Sequence, residues 1–280
     1  MTYPDVALAV ATCVYPAGLK RLLDSAWESA DIPGRVVVCM DGNEGWARLD
    51  QMTRYRGLFS PADRQRLHGA NQGMEDYSFL GERGQVELVR NPENLGPVGA
   101  FNRLFETCAM AGYVALVNDD VEVRPGWLGC LVAVMQQYPH CVMAGYSNLD
   151  VVKRKAFADL EHICHLGAAP LLRGTYLREL LNQRGWVEDP RFKVLTTDIQ
   201  RMTEPAGRGH DVVCVASPIL VSHREHVSLG DWRRDLCMED HRHEIRYPVN
   251  WGAQGRDDRV GRYRFVRMDG ARCAILEETP

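Results

Sequence analysis

Lysine is scarce in this chain: Lys20, Lys153, Lys155 and Lys193 are the only lysines among 33 basic residues. The positive charge is therefore almost all arginine. Arginine suits bidentate phosphate binding, but genomic base composition produces the same bias, so the bias alone assigns no function. No run of about 18 apolar residues occurs, which argues against a transmembrane helix. The N-terminal MTYPDVALAVATCV has no basic region, and Asp5 precedes its short apolar run, so it reads as a strand rather than a signal peptide. The nine cysteines include no CxxC pair, which argues against a disulfide framework or a zinc ribbon. Several sit inside apolar segments (Cys13, Cys39, Cys130, Cys214), as buried thiols do, and this usage fits a reducing cytoplasm. The cluster His162-Ile163-Cys164-His165 lacks a second ligand pair at zinc-site spacing. There is no repeat, no low-complexity segment and no clear linker. A net charge of −4 gives no general attraction to nucleic acid or acidic lipid.

What is present is an ordinary globular composition, 45% hydrophobic and 25% charged over 280 residues, enough for one large domain. Residues 1–146 alternate strand and helix. The predicted strands are 6–14, 35–40, 85–90, 113–118 and 141–146. Between them lie a helix opened by Pro16, with apolar residues at Leu19, Leu22, Leu23, Ala26 and Trp27, a helix running out of 91–102, and a helix opened by Pro125. Pro33-Gly34 is expected to break the first helix. Such alternation predicts an α/β fold with a mostly parallel sheet flanked by helices. Ligands in such sheets bind beyond the carboxyl ends of the strands. From 151 to 210 the alternation is lost apart from a helix over 174–184, and 211–227 is expected to run from strand into helix. A single domain with a less regular C-terminal half is the reading.

Within that frame a few residues stand out, each with a plain alternative. Asp119 and Asp120, in LVNDDVEVRPGW, form a carboxylate pair at the end of a buried strand. They suit Mg²⁺ or Mn²⁺ bound to a diphosphate, which takes one or two carboxylates plus phosphate and water, or they cap the helix that follows. Gly96 and Gly99, in ENLGPVGAFN, let backbone approach a phosphate at a helix start. The loop lacks both the Gly-Lys-Ser/Thr of a P-loop and the dinucleotide glycine spacing. Asp41 is either a turn residue or an acceptor for a nucleobase N–H. Glu239 and Asp240, in LCMEDHRHEIR, are either a solvated helix face or a base for an acceptor hydroxyl.

Taken in order, the strand ending near Thr12, Asp41, Asn94-Leu95-Gly96 through Asn102, LVNDDVEVRPGWL and the later Glu239-Asp240 with Arg246 resemble the family 2 glycosyltransferases of GT-A fold. The resemblance covers 5–147 and, weakly, 212–246. It implies a Rossmann-like, mostly parallel GT-A sheet with a nucleotide-sugar-binding half, 1–147, and an acceptor-binding half, 148–280. It implies a hexosyl- or related transferase that takes a sugar from a nucleotide-diphosphate donor to an acceptor hydroxyl by inverting displacement, with manganese or magnesium. Donor binding falls to Thr12, Asp41, Asn94, Gly96, Asn102, Asn118 and Asp119. The metal falls to Asp120, because Asn118 replaces the first acid of the family's D-x-D (DXD motif). Catalysis falls to Asp240, with Glu239 as its rival; Arg242 stands where many relatives have a further acid. The acceptor is open among glycan, lipid-linked sugar, protein and modified nucleic acid. The competing functions are a non-catalytic nucleotide-sugar-binding module and a sugar-1-phosphate nucleotidyltransferase. The second would need a glycine- and arginine-rich loop where ATCVYPAGLK stands.

Overall fold

The computed structural model describes residues 1–12, 16–41, 79–82, 86–91, 95–147, 169–192, 204–205, 208–216, 221–223, 263–269 and 272–275. In chain order the elements are β1 (Thr2–Thr12), α1 (Pro16–Glu28), β2 (Ile32–Asp41), the single turn α2 (Phe79–Glu82), β3 (Val86–Asn91), α3 (Gly96–Cys108), β4 (Tyr113–Asn118), β5 (Val121–Val123), α4 (Trp127–Gln137), β6 (Cys141–Ser147), β7 (Leu171–Arg173), α5 (Gly174–Arg184), β8 (Asp211–Ala216), β9 (Val221–His223), β10 (Tyr263–Asp269) and β11 (Arg272–Ile275). Nine strands form one sheet in the order β11-β10-β8-β6-β7-β4-β1-β2-β3, and β5 pairs with β9 in a separate ribbon. Within the sheet β7 runs against β4 and β6, and β11 against β10; the other pairings are parallel.

The near-continuous apolar run of β1 is explained by helices on both faces of the sheet. Successive side chains alternate between the faces. Val6, Leu8 and Val10 therefore pack with Leu19, Leu22 and Leu23 of α1 and with Trp127, Leu128 and Leu131 of α4. Ala7 and Ala9 face Phe101, Leu104 and Phe105 of α3. The small alanines leave room for the phenylalanines above them. Leu8 and Leu104 are fully buried, and truncating either to alanine would cost about 2–5 kcal/mol. Cys39, Cys108, Cys130 and Cys141 are buried and form no disulfide. Burial pushes Cys39, Cys108 and Cys141 up to about 12, which keeps these thiols protonated and inert.

Two expectations are corrected. Pro33-Gly34 does not break the helix; it lies inside β2, where the pairing with β1 shifts register between Tyr3 and Ala7. A side chain at Gly34 would put Cβ 2.3 Å from the Pro4 carbonyl oxygen, so only glycine lets the strands meet there. Residues 221–223, expected in a helix, form β9. In the C-terminal half the described strands β7, β8, β10 and β11 extend the same sheet. Among the described residues no helix is long and apolar enough to cross a membrane.

Candidate active site

Four adjacent parallel strands, β4, β1, β2 and β3, end side by side. Ala11 of β1 is in register with Asn118 of β4, and Asp41 of β2 with Asn91 of β3. Thr12, Asp41, Asn91 and Asn118-Asp119-Asp120 therefore share the carboxyl edge. The chain order reverses between β1 and β4, the switch point at which an open α/β sheet leaves a crevice. Thr12, Asn118 and Asp119 lie at that point.

Asp119 and Asp120 are half-buried, and Asp120 Oδ1 is shielded from solvent. Burial pushes the Asp119 carboxyl up to about 7, and the Asp120 charge adds to the shift; a hydrogen bond from the Thr12 side chain opposes it. The pair does not serve as the cap of α4. The amides of Leu128 and Gly129 donate instead to Asp31 Oδ2, at 3.2 and 3.4 Å, from the turn before β2. Two adjacent hard oxygen donors that repel one another fit a divalent cation. Among the described residues no group of three or more His, Cys, Asp or Glu stands together. A site with few protein ligands suits Mg²⁺ or Mn²⁺ whose other positions go to diphosphate and water.

Asp41, 4% exposed, joins the strand ends to the start of α3. Its Oδ1 accepts from Asn91 Nδ2 and from the Leu95 amide, each at 2.9 Å, and its Oδ2 accepts from the Gly96 amide at 2.9 Å. Gly96 is in the left-handed region at φ 77°, which sets the turn into the helix. A carboxylate at a helix N-terminus also opposes the helix dipole favourably. The sequence suggested a turn or a base contact for Asp41 and missed this cap, because its partners lie 54 and 55 residues further on.

Asn102, expected at the donor, has its amide engaged elsewhere. Its Oδ1 accepts from the Val187 and Glu188 amides at 2.9 Å, and its Nδ2 donates to the Glu188 carbonyl at 2.8 Å. This places a second acidic pair, Glu188-Asp189, beside α3, each residue 1% exposed. Sequence reasoning passed over it, although Glu-Asp in GWVEDPRF was a visible signal. The β5–β9 ribbon adds a further surprise: the backbone of His223 pairs with Val121, the residue after Asp120. The later part of the chain thus returns to the strand end that carries Asp119-Asp120. Asn94, Glu239, Asp240, Arg242, Arg246 and the His162–His165 cluster lie outside the described residues.

Residues 68–187 match the family described as glycosyl transferase family 2. Among solved structures, the chain is similar to the mannosyltransferase PcManGT from Pyrobaculum calidifontis in complex with GDP-Man and Mn²⁺. The identity is 15% and the TM-score 0.56, over 88% of this chain and 67% of that one. It is also similar to S. aureus TarS, at 14% identity and TM-score 0.50, over 84% of this chain and 39% of TarS. The chain thus spans well under half of TarS. No curated protein matches it in sequence. The chain is thus similar to the family 2 glycosyltransferases over residues 68–187, and its fold is of the GT-A type.

Proposed function

We propose that the chain moves a sugar from a nucleoside-diphosphate donor to an acceptor hydroxyl, with inversion, by direct displacement. The observation that carries the reading is the convergence of Thr12, Asp41 and Asn118-Asp119-Asp120 on the carboxyl edge beside the β1/β4 switch point. The neighbouring mannosyltransferase's complex with GDP-Man and Mn²⁺ supports a nucleotide sugar and a divalent ion there.

In this reading Asp120 holds Mn²⁺ or Mg²⁺, Asn118 and Asp119 face the ribose and diphosphate, and the Thr12 hydroxyl orients Asp119. A bound divalent cation neutralises charge developing on the leaving diphosphate. Gly96 and the start of α3 bring backbone close to the donor, and Asn94 is assigned to donor binding as well. Asp41 accepts from the base while holding the helix start. The acceptor oxygen attacks the anomeric carbon, the bond from that carbon to the diphosphate oxygen breaks, and the acceptor proton passes to a carboxylate. Asp240 is assigned that role and Glu239 is its rival. Residues 1–147 then form the donor half of one domain and 148–280 the acceptor half.

The test is sugar release from a guanosine- and a uridine-diphosphate sugar, with Mn²⁺ and with EDTA. Release from one donor that needs the metal, and that is lost in Asp120→Ala at unchanged circular dichroism, is expected. Metal-independent release, or release that survives in Asp120→Ala, contradicts the assignment.

A further inference from the structure

Helix α3 leaves the carboxyl edge at its first residue, and α5 returns to that edge. The pairing of Arg173 with Tyr113 sets the end of β7 at the opposite edge. Helix α5 then climbs back beside α3: Arg178 Nη1 donates to the Ala109 carbonyl past the end of α3, while Asn102, at the midpoint of α3, meets Val187 and Glu188. The segment after α5 therefore emerges beside the middle of α3, roughly 9 Å along the helix from Gly96.

That segment is gripped from two sides. Asn102 acts on it as a neighbouring strand would, accepting two amide protons and donating to one carbonyl. Arg184, in the last turn of α5, donates to the Trp186 carbonyl at 2.9 Å and to the Val187 carbonyl, and its guanidinium lies 3.7 Å over the Trp186 ring. The same Arg184 pairs with Glu204, at 3.0 Å from Nη2 to Oε2. Asp189 is fixed in turn by Arg191, whose amide and Nε donate to its carboxylate at 3.0 and 2.8 Å. Asparagine is a weak helix former, and its place inside α3 is explained by these bonds. From Gly96 to Asn102 the helix advances roughly 9 Å as one rigid rod. The residue whose amide sits on Asp41 and the residue that holds Glu188 thus move together.

We propose that Asn102 is a positioning residue that fixes Trp186–Asp189 to the donor-side helix, so that nucleotide binding at the start of α3 sets the placement of the chain beyond α5. This rests on the donor site proposed above. It assigns Asn102 a role through Val187 and Glu188 rather than a contact with the donor.

Hydrogen exchange on the full chain, with GDP or UDP plus Mn²⁺ as probe, tests it. In the wild type, nucleotide should slow exchange of the Val187 and Glu188 amides about threefold or more. In Asn102→Ala those amides should exchange roughly tenfold faster, as expected when a hydrogen bond is lost, and nucleotide should no longer change them, while its Kd moves by less than about threefold. Asn102→Asp keeps the one oxygen that accepts from both amides and replaces the donating NH2 with a second oxygen, so it should keep part of the response; it decides the matter if the alanine variant does not fold. Nucleotide-dependent protection that persists unchanged in both variants overturns the inference, as does its absence from a wild type that binds nucleotide. A wild type that binds neither nucleotide in calorimetry removes the donor-site reading itself, and this inference with it.

Discussion

Asp41 is bonded to three groups at once: the Asn91 side chain and the first two amides of the α3 turn. Asp41→Ala leaves those donors without an acceptor and should cost about 2 kcal/mol or more in urea unfolding. If Asp41 also reads the donor base, the folded variant should lose about 1.5–3 kcal/mol of nucleotide affinity as well. Calorimetry on the folded fraction separates the two effects, and unchanged affinity would leave Asp41 as a helix cap alone. Asp41 and Asp120 were both legible as strand-end carboxylates, because a charge after a buried apolar run is conspicuous. Their partners were not, since a cap formed across more than fifty residues leaves no local pattern. Asp31 makes the same point. It takes the capping role at α4 that the sequence offered to Asp119 and Asp120, from 97 residues earlier in the chain.

At the scale of elements, the strands β2, β3, β4 and β6 and the helices α1, α3 and α5 were legible within a few residues, because the strands are short apolar runs and the helices carry one apolar face. Strands β7 and β9 were not. Each is three residues long and is held by pairing with distant strands rather than by its own pattern. The turn from β7 into α5 depends on close backbone approach. The Gly174 amide donates to the Gly112 carbonyl at 2.8 Å, and a Cβ on Gly174 would lie 1.9 Å from the Ala111 carbonyl oxygen. Gly174→Ala should therefore destabilise the fold by about 2 kcal/mol or more, read from the denaturant midpoint. Near the same helix, His210 packs edge-on to Tyr176, with ring centroids 5.2 Å apart. Burial holds its pKa below 6.5; Glu179 and Asp211 pull it up, while Arg208 and His140 push it down. A histidine depressed in the folded state binds fewer protons there than in the unfolded state, so stability falls as pH drops through about 6.5. His210→Phe should flatten the change in melting temperature between pH 7.5 and 5.5. An equal slope in both proteins would show that His210 carries none of it.

For the whole molecule, the order of motifs along the chain was more informative than any one of them, and it identified the fold. It carried less about the second half, where the acceptor-side carboxylates were chosen from a single Glu-Asp and the buried Glu188-Asp189 was passed over. Replacing Asp240 with asparagine should leave donor binding nearly intact and lower single-turnover transfer by roughly 10²–10⁴-fold. Normal transfer by Asp240→Asn together with loss in Glu239→Gln would move the role to Glu239, and normal transfer by both would remove the segment from the chemistry. The proposed transfer requires a nucleotide and a divalent ion to meet at the end of β4. Calorimetry of GDP and UDP, with Mn²⁺ and with EDTA, on the wild type and Asp120→Ala, measures that directly. Binding of one nucleotide that Mn²⁺ strengthens at least tenfold in the wild type, and does not strengthen in Asp120→Ala, is expected. Equal strengthening by Mn²⁺ in both proteins, or no binding of either nucleotide to the wild type, would contradict it.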